Sequence, residues 1–253
     1  MVLSLIKNKK LYLFLGLILG LAVYFYLAHF SIYYRLEQAH LEAPQRQAVY
    51  MVGDESMTTN LVYVALGDSL TSGVGLSQYE ESFPYLLAEK LVQTKKTKVA
   101  LQDFSYPGAR TSDLINDQLE RALASQADII TILIGTNDVH GGISLEDFEK
   151  NYHYILAELV QKSSAQIYLL ALPDIGSNKL LLPPYNYYFR QQTQKFNQVI
   201  KKLADSYQLT YIDLESPDLA KQKGEDYYAP DLFHPQAAVY KLWAQTINVN
   251  LTK

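Results

Sequence analysis

Ser69 has the sequence setting of a nucleophile, because it follows a glycine turn directly after the apolar run of residues 61–66. A serine at a strand-to-helix junction can present its hydroxyl at the edge of a sheet. Its backbone N–H then lies near a helix N-terminus, where developing negative charge is stabilised. The same position also suits simple helix capping by Asp68 or Ser69. The local sequence therefore leaves two interpretations open, a nucleophile and a helix cap.

A carboxylate and an imidazole stand three residues apart near the C-terminus, at Asp231 and His234. This offset allows the Asp231 carboxylate to reach back to the His234 ring. It would fix the ring tautomer and support the imidazolium that forms when the ring takes a proton from a hydroxyl. His140, close to Asp138 and to a predicted strand end, is the rival base, and a lone histidine ahead of a helix is more often structural.

Two further loops carry hydrogen-bond donors that suit an oxyanion. Gly108 lies in a turn that lets the backbone approach a ligand and offers an unobstructed N–H, and Asn137 can donate from its side-chain amide. Taken singly, both residues are ordinary turn chemistry. Asp68 and Asp138 are interpreted as carboxylates that brace loops by accepting from backbone N–H groups, rather than as proton carriers.

The elements that must position these groups are short apolar runs that alternate with amphipathic stretches. Such runs predict buried parallel strands, and the amphipathic stretches predict helices. The five runs are residues 61–66, 99–104, 129–134, 167–172 and 209–214. The alternation predicts an α/β fold, a doubly wound three-layer sandwich with a five-stranded parallel sheet. In that fold ligands bind outside the carboxyl ends of the strands.

Four sequence blocks in this order resemble those of the SGNH hydrolases, also called GDSL esterases and lipases. The blocks are Gly67-Asp68-Ser69-Leu70, Gly108, Gly135-Thr136-Asn137-Asp138 and Asp231-Leu232-Phe233-His234. The chain lacks the Gly-x-Ser-x-Gly motif, and its Asp231 and His234 share one short segment, which distinguishes it from the α/β-hydrolases.

The resemblance implies a flavodoxin-like fold and a role for each matching residue. Ser69 would be the nucleophile, His234 the general base and then acid, and Asp231 the carboxylate that orients the histidine. The oxyanion hole would be formed by Ser69, Gly108 and Asn137. Neither a metal ion nor an organic cofactor is implied.

The N-terminal region carries a long apolar stretch, residues 11–34, without Asp, Glu, Lys or Arg. At ~1.5 Å per helical residue it can cross a ~30 Å hydrocarbon layer. Lysines 7, 9 and 10 precede it, which favours a cytoplasmic N-terminus and an extracellular domain. A cleaved signal peptide is the alternative, with Gly20-Leu21-Ala22 as its small-x-small triplet. The predicted segments are a cytoplasmic N-terminus (1–10), a single-pass signal anchor (11–34), a linker (35–59) and the hydrolase domain (60–253).

Composition narrows the function classes. The 253 residues carry a net charge of −4, which argues against a protein built to neutralise nucleic-acid phosphates. The absence of cysteine excludes disulfides, thiolate metal sites and a cysteine nucleophile.

The sequence predicts a membrane-tethered extracellular serine ester hydrolase of the lipase or acylhydrolase type. Its substrates would be acyl lipids, lysophospholipids, thioesters or small esters. One alternative is an O-acetyl esterase of cell-wall or surface glycans, and another is a non-catalytic binding domain. The apolar segment with Leu181, Leu182 and Tyr185 could line an acyl pocket, or these side chains could simply pack beneath a loop.

Overall fold

The computed structural model describes residues 2–39, 41–57, 60–174, 180–214 and 227–251. The strands are β1 Tyr50–Val52, β2 Asn60–Gly67, β3 Lys98–Asp103, β4 Ile129–Leu133, β5 Gln166–Leu170 and β6 Thr210–Ile212. The helices are α1 Val2–Ala39, α2 Ser69–Ser72, α3 Phe83–Lys95, α4 Thr111–Asp113, α5 Leu119–Ala124, α6 Thr136–His140, α7 Leu145–Lys162, α8 Tyr185–Tyr207 and α9 Ala237–Leu251. A 3₁₀ turn covers Tyr79–Glu81, and a π-helical segment, Leu114–Gln118, joins α4 to α5.

The described strands form one mixed sheet in the order β1-β3-β2-β4-β5-β6. Strands β2 to β6 are parallel, whereas β1 pairs antiparallel with β3. The parallel part has the flavodoxin-like order, in which the direction of winding reverses between β2 and β4, and ligands bind at such a reversal. The predicted α/β class is confirmed, and the five predicted runs correspond to β2 through β6.

The helices cover the sheet in two layers, as right-handed crossovers on either side of the reversal require. In one layer α3 packs on α9, with the rings of Phe83 and Trp243 6.3 Å apart. In the other α7 packs on α8, with the rings of Phe148 and Phe196 4.4 Å apart. All five residues of β4 are buried, because both faces of this central strand are covered.

The structure differs from the predicted linker, because part of residues 35–59 belongs to the domain. Strand β1 adds a sixth, antiparallel strand to the sheet, and its Tyr50 ring stacks on Tyr79 at 4.8 Å. Arg46 pairs with the buried Asp103 carboxylate at 2.9 Å and donates to the Ser105 carbonyl at 2.6 Å. The cause is pairing with groups distant in sequence, which the local sequence does not show.

Helix α1 contains a span, Lys9–Ile32, that is long and apolar enough to cross a membrane, with a mean hydropathy of 2.2. Only 6% of this span is buried within the structure. A signal sequence near an N-terminus passes the same test of length and composition.

Candidate active site

Ser69 lies where strand β2 turns into helix α2, beyond the carboxyl end of the strand. The Asp68 side chain caps α2 by accepting from the Leu70 N–H at 2.9 Å, and Ser69 is the first helical residue. Gly67 permits this sharp turn, because a Cβ there would lie 2.1 Å from the Thr71 hydroxyl oxygen and 2.5 Å from the Leu133 carbonyl oxygen. Asp68 therefore caps the helix, and its neighbour Ser69 is left to present its hydroxyl.

A buried glutamine holds the backbone just before the serine. The Gln118 side chain accepts from the Gly67 N–H at 3.0 Å and donates to the Gly67 carbonyl at 2.8 Å. This pair of bonds satisfies both polar groups of the last residue of β2. Gln118 was not among the predicted site residues, because no local pattern marks a residue whose partner lies 51 positions away.

The three residues of the predicted triad are brought together by the fold. His234 Nε2 lies 2.9 Å from the Ser69 hydroxyl oxygen, and His234 Nδ1 lies 2.5 Å from Asp231 Oδ2. The other carboxylate oxygen of Asp231 accepts from the Phe233 and His234 backbone N–H groups, at 2.9 and 3.0 Å. The backbone beside His234 thus holds the Asp231 carboxylate in place. With a proton on Nδ1 of the His234 ring, Nε2 is free to accept the serine proton.

The environment of Asp231 keeps its carboxyl group ionised. Burial by itself would raise the pKa, because Asp231 is only 3% exposed. The hydrogen bond from the His234 ring, the charge of that ring and the two backbone donors act in the opposite direction, and the net pKa lies below its ordinary value. A negative charge beside His234 stabilises an imidazolium there.

The three residues of the predicted oxyanion hole, Ser69, Gly108 and Asn137, line one cavity. Gly108 adopts φ +82°, and a Cβ at this residue would meet no atom within 4 Å, so its backbone is open to the cavity. The Asn137 amide donates one N–H to the Ala109 carbonyl at 2.9 Å. That bond fixes the amide plane and leaves a second N–H available.

The two aspartates interpreted as loop braces are buried and bonded to nearby chain segments. The Asp138 carboxylate accepts from the Thr111 hydroxyl at 2.5 Å and from the Thr111 N–H at 3.0 Å, which ties the short helix α6 to α4. Burial raises the pKa of Asp138, against the opposing effect of the Thr111 bonds. Burial raises the pKa of Asp68 to about 7, and Asp68 Oδ2 has no hydrogen-bond partner within the described part of the chain.

His140, the rival base, lies in the cavity wall. Its ring stacks on Phe189 at 4.3 Å and meets the edge of Phe233 at 5.4 Å. Burial lowers its pKa to about 4, although the charge of Asp174 acts in the opposite direction. The hydrogen bond to Ser69 is made by His234, whereas the neutral His140 ring lines the cavity.

The cavity above Ser69 has a volume of about 520 Å³ and a largely apolar wall. Of the three residues proposed for an acyl pocket, Leu181 and Tyr185 line this cavity and Leu182 does not. Leu180 and Phe189 of the same segment also line it. The lining residues that were not predicted include His29 and Ile32 of α1 and Leu41.

Comparison with known proteins agrees with this architecture. Residues 65–242 match the model of the GDSL-like lipase/acylhydrolase family. The spore germination lipase LipC of Bacillus licheniformis is 27% identical over 203 residues, which cover 74% of this chain and 94% of that protein.

Solved structures share the fold at lower identity. The lipase/acylhydrolase from Enterococcus faecalis superposes with a TM-score of 0.63 at 20% identity, covering 76% of this chain and 95% of that one. The acetylxylan esterase Axe2 from Geobacillus stearothermophilus gives a TM-score of 0.62 at 16% identity, covering 76% and 94%.

Proposed function

The chain belongs to the GDSL-like lipase/acylhydrolase family, and from this premise we propose that it hydrolyses carboxylic esters with a Ser69-His234-Asp231 triad. The observation that carries the proposal is the continuous contact from Asp231 through His234 to the Ser69 hydroxyl, with the Ser69–His234 distance at 2.9 Å. Nucleophile, base and orienting carboxylate are thus within hydrogen-bond reach of one another.

Acylation follows from this geometry. The Ser69 oxygen attacks the ester carbonyl carbon while His234 Nε2 takes the hydroxyl proton, and Asp231 supports the resulting imidazolium. The carbonyl oxygen becomes an oxyanion that accepts from the Ser69 and Gly108 N–H groups and the Asn137 amide. Collapse of this intermediate breaks the bond to the alcohol oxygen, and His234 returns its proton to the departing alcohol.

Deacylation repeats the sequence with water as the nucleophile. His234 takes a proton from the water as its oxygen attacks the acyl-serine carbonyl. The bond to Ser69 then breaks, the serine oxygen recovers its proton from His234, and the carboxylic acid leaves. The net reaction consumes one ester and one water and yields one acid and one alcohol.

The cavity wall favours an acyl chain over an acetyl group. Leu180, Leu181, Tyr185 and Phe189 offer apolar surface adjacent to Ser69, and each buried CH₂ of a substrate contributes about 0.8 kcal/mol to binding. We therefore place hydrolysis of esters with longer acyl chains ahead of hydrolysis of glycan O-acetyl esters.

The proposal also includes the location of the domain. We propose that α1 is retained as a signal anchor and that the domain lies outside the cell, because lysines precede the apolar span.

The test compares two serines of the same short helix. Ser69→Ala should lower hydrolysis of p-nitrophenyl acetate by about 10³-fold or more, with residual rate from the oxyanion donors. Ser72→Ala is the matched control, because Ser72 is also buried and donates only to the Ser69 carbonyl. A Ser69→Ala protein that keeps the wild-type rate would contradict the assignment of Ser69 as the nucleophile of a triad.

A further inference from the structure

The cavity above Ser69 is formed partly by the domain and partly by the N-terminal helix. His29 and Ile32 of α1, with Leu41 just after it, line the cavity together with Leu181 and Tyr185 of the domain. Residues from the apolar span and residues from the site at the sheet edge therefore enclose the same space.

One face of α1 is seated on the segment that leads into α8. The Tyr24 hydroxyl donates to the Pro183 carbonyl at 2.6 Å, and the Phe25 ring meets the edge of Tyr185 at 6.3 Å. Ala28 is 2% exposed, whereas Leu27, on another face, is 56% exposed. Positions 25, 28, 29 and 32 follow the i, i+3, i+4, i+7 spacing of a single helical face, so this contact is a stripe along the helix.

The segment after α1 is also attached to the domain close to the site. The Gly75 N–H donates to the Glu42 carbonyl at 3.4 Å, and a Cβ at Gly75 would lie 3.4 Å from Leu41 and 3.7 Å from His234. Arg46 then pairs with Asp103, and β1 joins the sheet. These contacts leave α1 little freedom to move away from the cavity.

The docked part of α1 is also the last part of its apolar span. The span Lys9–Ile32 has 24 residues and is about 36 Å long at ~1.5 Å per residue, slightly more than a ~30 Å hydrocarbon layer. The excess of about 6 Å corresponds to one helical turn, so in the proposed anchor the last turn, with His29 and Ile32, would lie at the edge of the bilayer. Exposed aromatic side chains of the kind found at membrane interfaces surround this level: Tyr26, Phe30 and Tyr34 of α1, and Tyr187 and Tyr188 of α8.

We propose that the outer end of α1 forms one wall of the acyl pocket, and that the substrate is a lipid ester of the surrounding membrane whose acyl chain enters from the bilayer. This inference rests on the proposed ester hydrolysis at Ser69. It assigns His29, Ile32 and Leu41 to substrate binding and makes the membrane helix part of the specificity of the enzyme. An acyl chain that slides along the docked face of α1 stays in apolar surroundings from the bilayer to the serine.

The test measures labelling of the full-length protein in phosphatidylglycerol vesicles by two fluorophosphonates, one with an ethyl chain and one with a hexadecyl chain. Ile32→Trp fills the cavity from the α1 side, so the ratio of hexadecyl to ethyl labelling rates should fall at least tenfold. Leu27→Trp, on the lipid-facing side of the same helix, is the matched control and should leave this ratio unchanged. An Ile32→Trp protein with the wild-type ratio would overturn the proposal.

The route of entry is tested by the location of the hexadecyl probe. Wild-type protein should be labelled at least tenfold faster when the probe is in the same vesicles than when it is supplied in separate vesicles. Equal rates would show entry from water and contradict the bilayer route. Absence of labelling by either probe in the wild type would instead contradict the ester hydrolase itself, so the two failures are distinguishable.

Discussion

The His234 ring is held at both nitrogens, by the Asp231 carboxylate on one side and the Ser69 hydroxyl on the other. His140 lies in the same cavity, but it stacks on Phe189 and meets the edge of Phe233, in surroundings that disfavour its charged form. Two histidines near one serine thus differ in what contacts them, and this difference decides which of them can move a proton.

We expect unequal effects when the two histidines are removed. His234→Ala should lower kcat/KM for p-nitrophenyl acetate by about 10³-fold or more, because the serine loses its base. His140→Ala should lower it by less than about tenfold, because this ring only lines the cavity. The pH profile of kcat/KM provides the check, since the pKa of His140 is about 4. A large loss in His140→Ala, with a wild-type profile that falls only near pH 4, would identify His140 as the base.

At the scale of elements, the short helix α2 depends on a buried carboxyl group as its cap. Asp68 accepts from the Leu70 N–H, but burial raises its pKa to about 7. Because the pKa in the folded state is above the ordinary 3.8, folding favours the protonated form. The contribution of Asp68 to the free energy of unfolding is therefore fully present below about pH 4 and is lost as the pH rises through 7.

Asp68→Asn keeps a cap acceptor and removes the ionisation. The difference in Tm between Asp68→Asn and the wild type should therefore increase in favour of the variant from pH 4 to pH 7 and stay constant above that. Asp205→Asn, at a carboxylate on the surface of α8, is the control, and its difference should change little over the same window. A pH-independent difference for Asp68→Asn would show that Asp68 is ionised at no cost in the folded protein.

The elements that the sequence predicts well are those with a strong local pattern. Apolar runs mark β2 to β6 to within a few residues, because parallel strands buried on both faces must be continuously apolar. Strand β1 was missed because it has three residues and an antiparallel partner far along the chain. Its recognition requires knowledge of the pairing itself.

The residues of the candidate site also differ in whether a local sequence pattern marks them. Residues with a characteristic neighbourhood, such as Ser69 after a glycine turn or Asp231 three residues before His234, could be predicted from the chain. Gln118 could not, because its task is to bond Gly67, 51 residues away. The contribution of Ile32 to the cavity was equally hidden, since an apolar residue in a long apolar stretch carries no sign of a second role.

At the scale of the whole molecule, the proposed signal anchor would fix the position of the domain relative to the membrane, because α1 is docked on the domain. The chain has no cysteine, so a single introduced thiol reports its own location. We expect a membrane-impermeant maleimide to label Lys201→Cys on intact cells, because Lys201 is exposed on α8 and the proposed orientation places the domain outside the cell. Ser4→Cys, in the predicted cytoplasmic segment 1–10, should be labelled only after lysis.

The reverse pattern of labelling would place the domain in the cytoplasm and contradict the proposed orientation. Labelled Lys201→Cys protein in the medium, with its N-terminus near Val23, would instead show a cleaved signal peptide. Tyr24, Phe25 and Ile32 would remain in that shortened chain, so the cavity wall would persist without the membrane span.

The central claim is that Ser69 is the nucleophile of an ester hydrolase, and mass spectrometry of its covalent adduct tests it most directly. Wild-type protein treated with ethyl fluorophosphonate should gain one phosphonyl group, located on Ser69, and lose its esterase activity in proportion to the modification. An adduct on any other residue that accompanies the loss of activity, or full activity with Ser69 modified, would contradict the account.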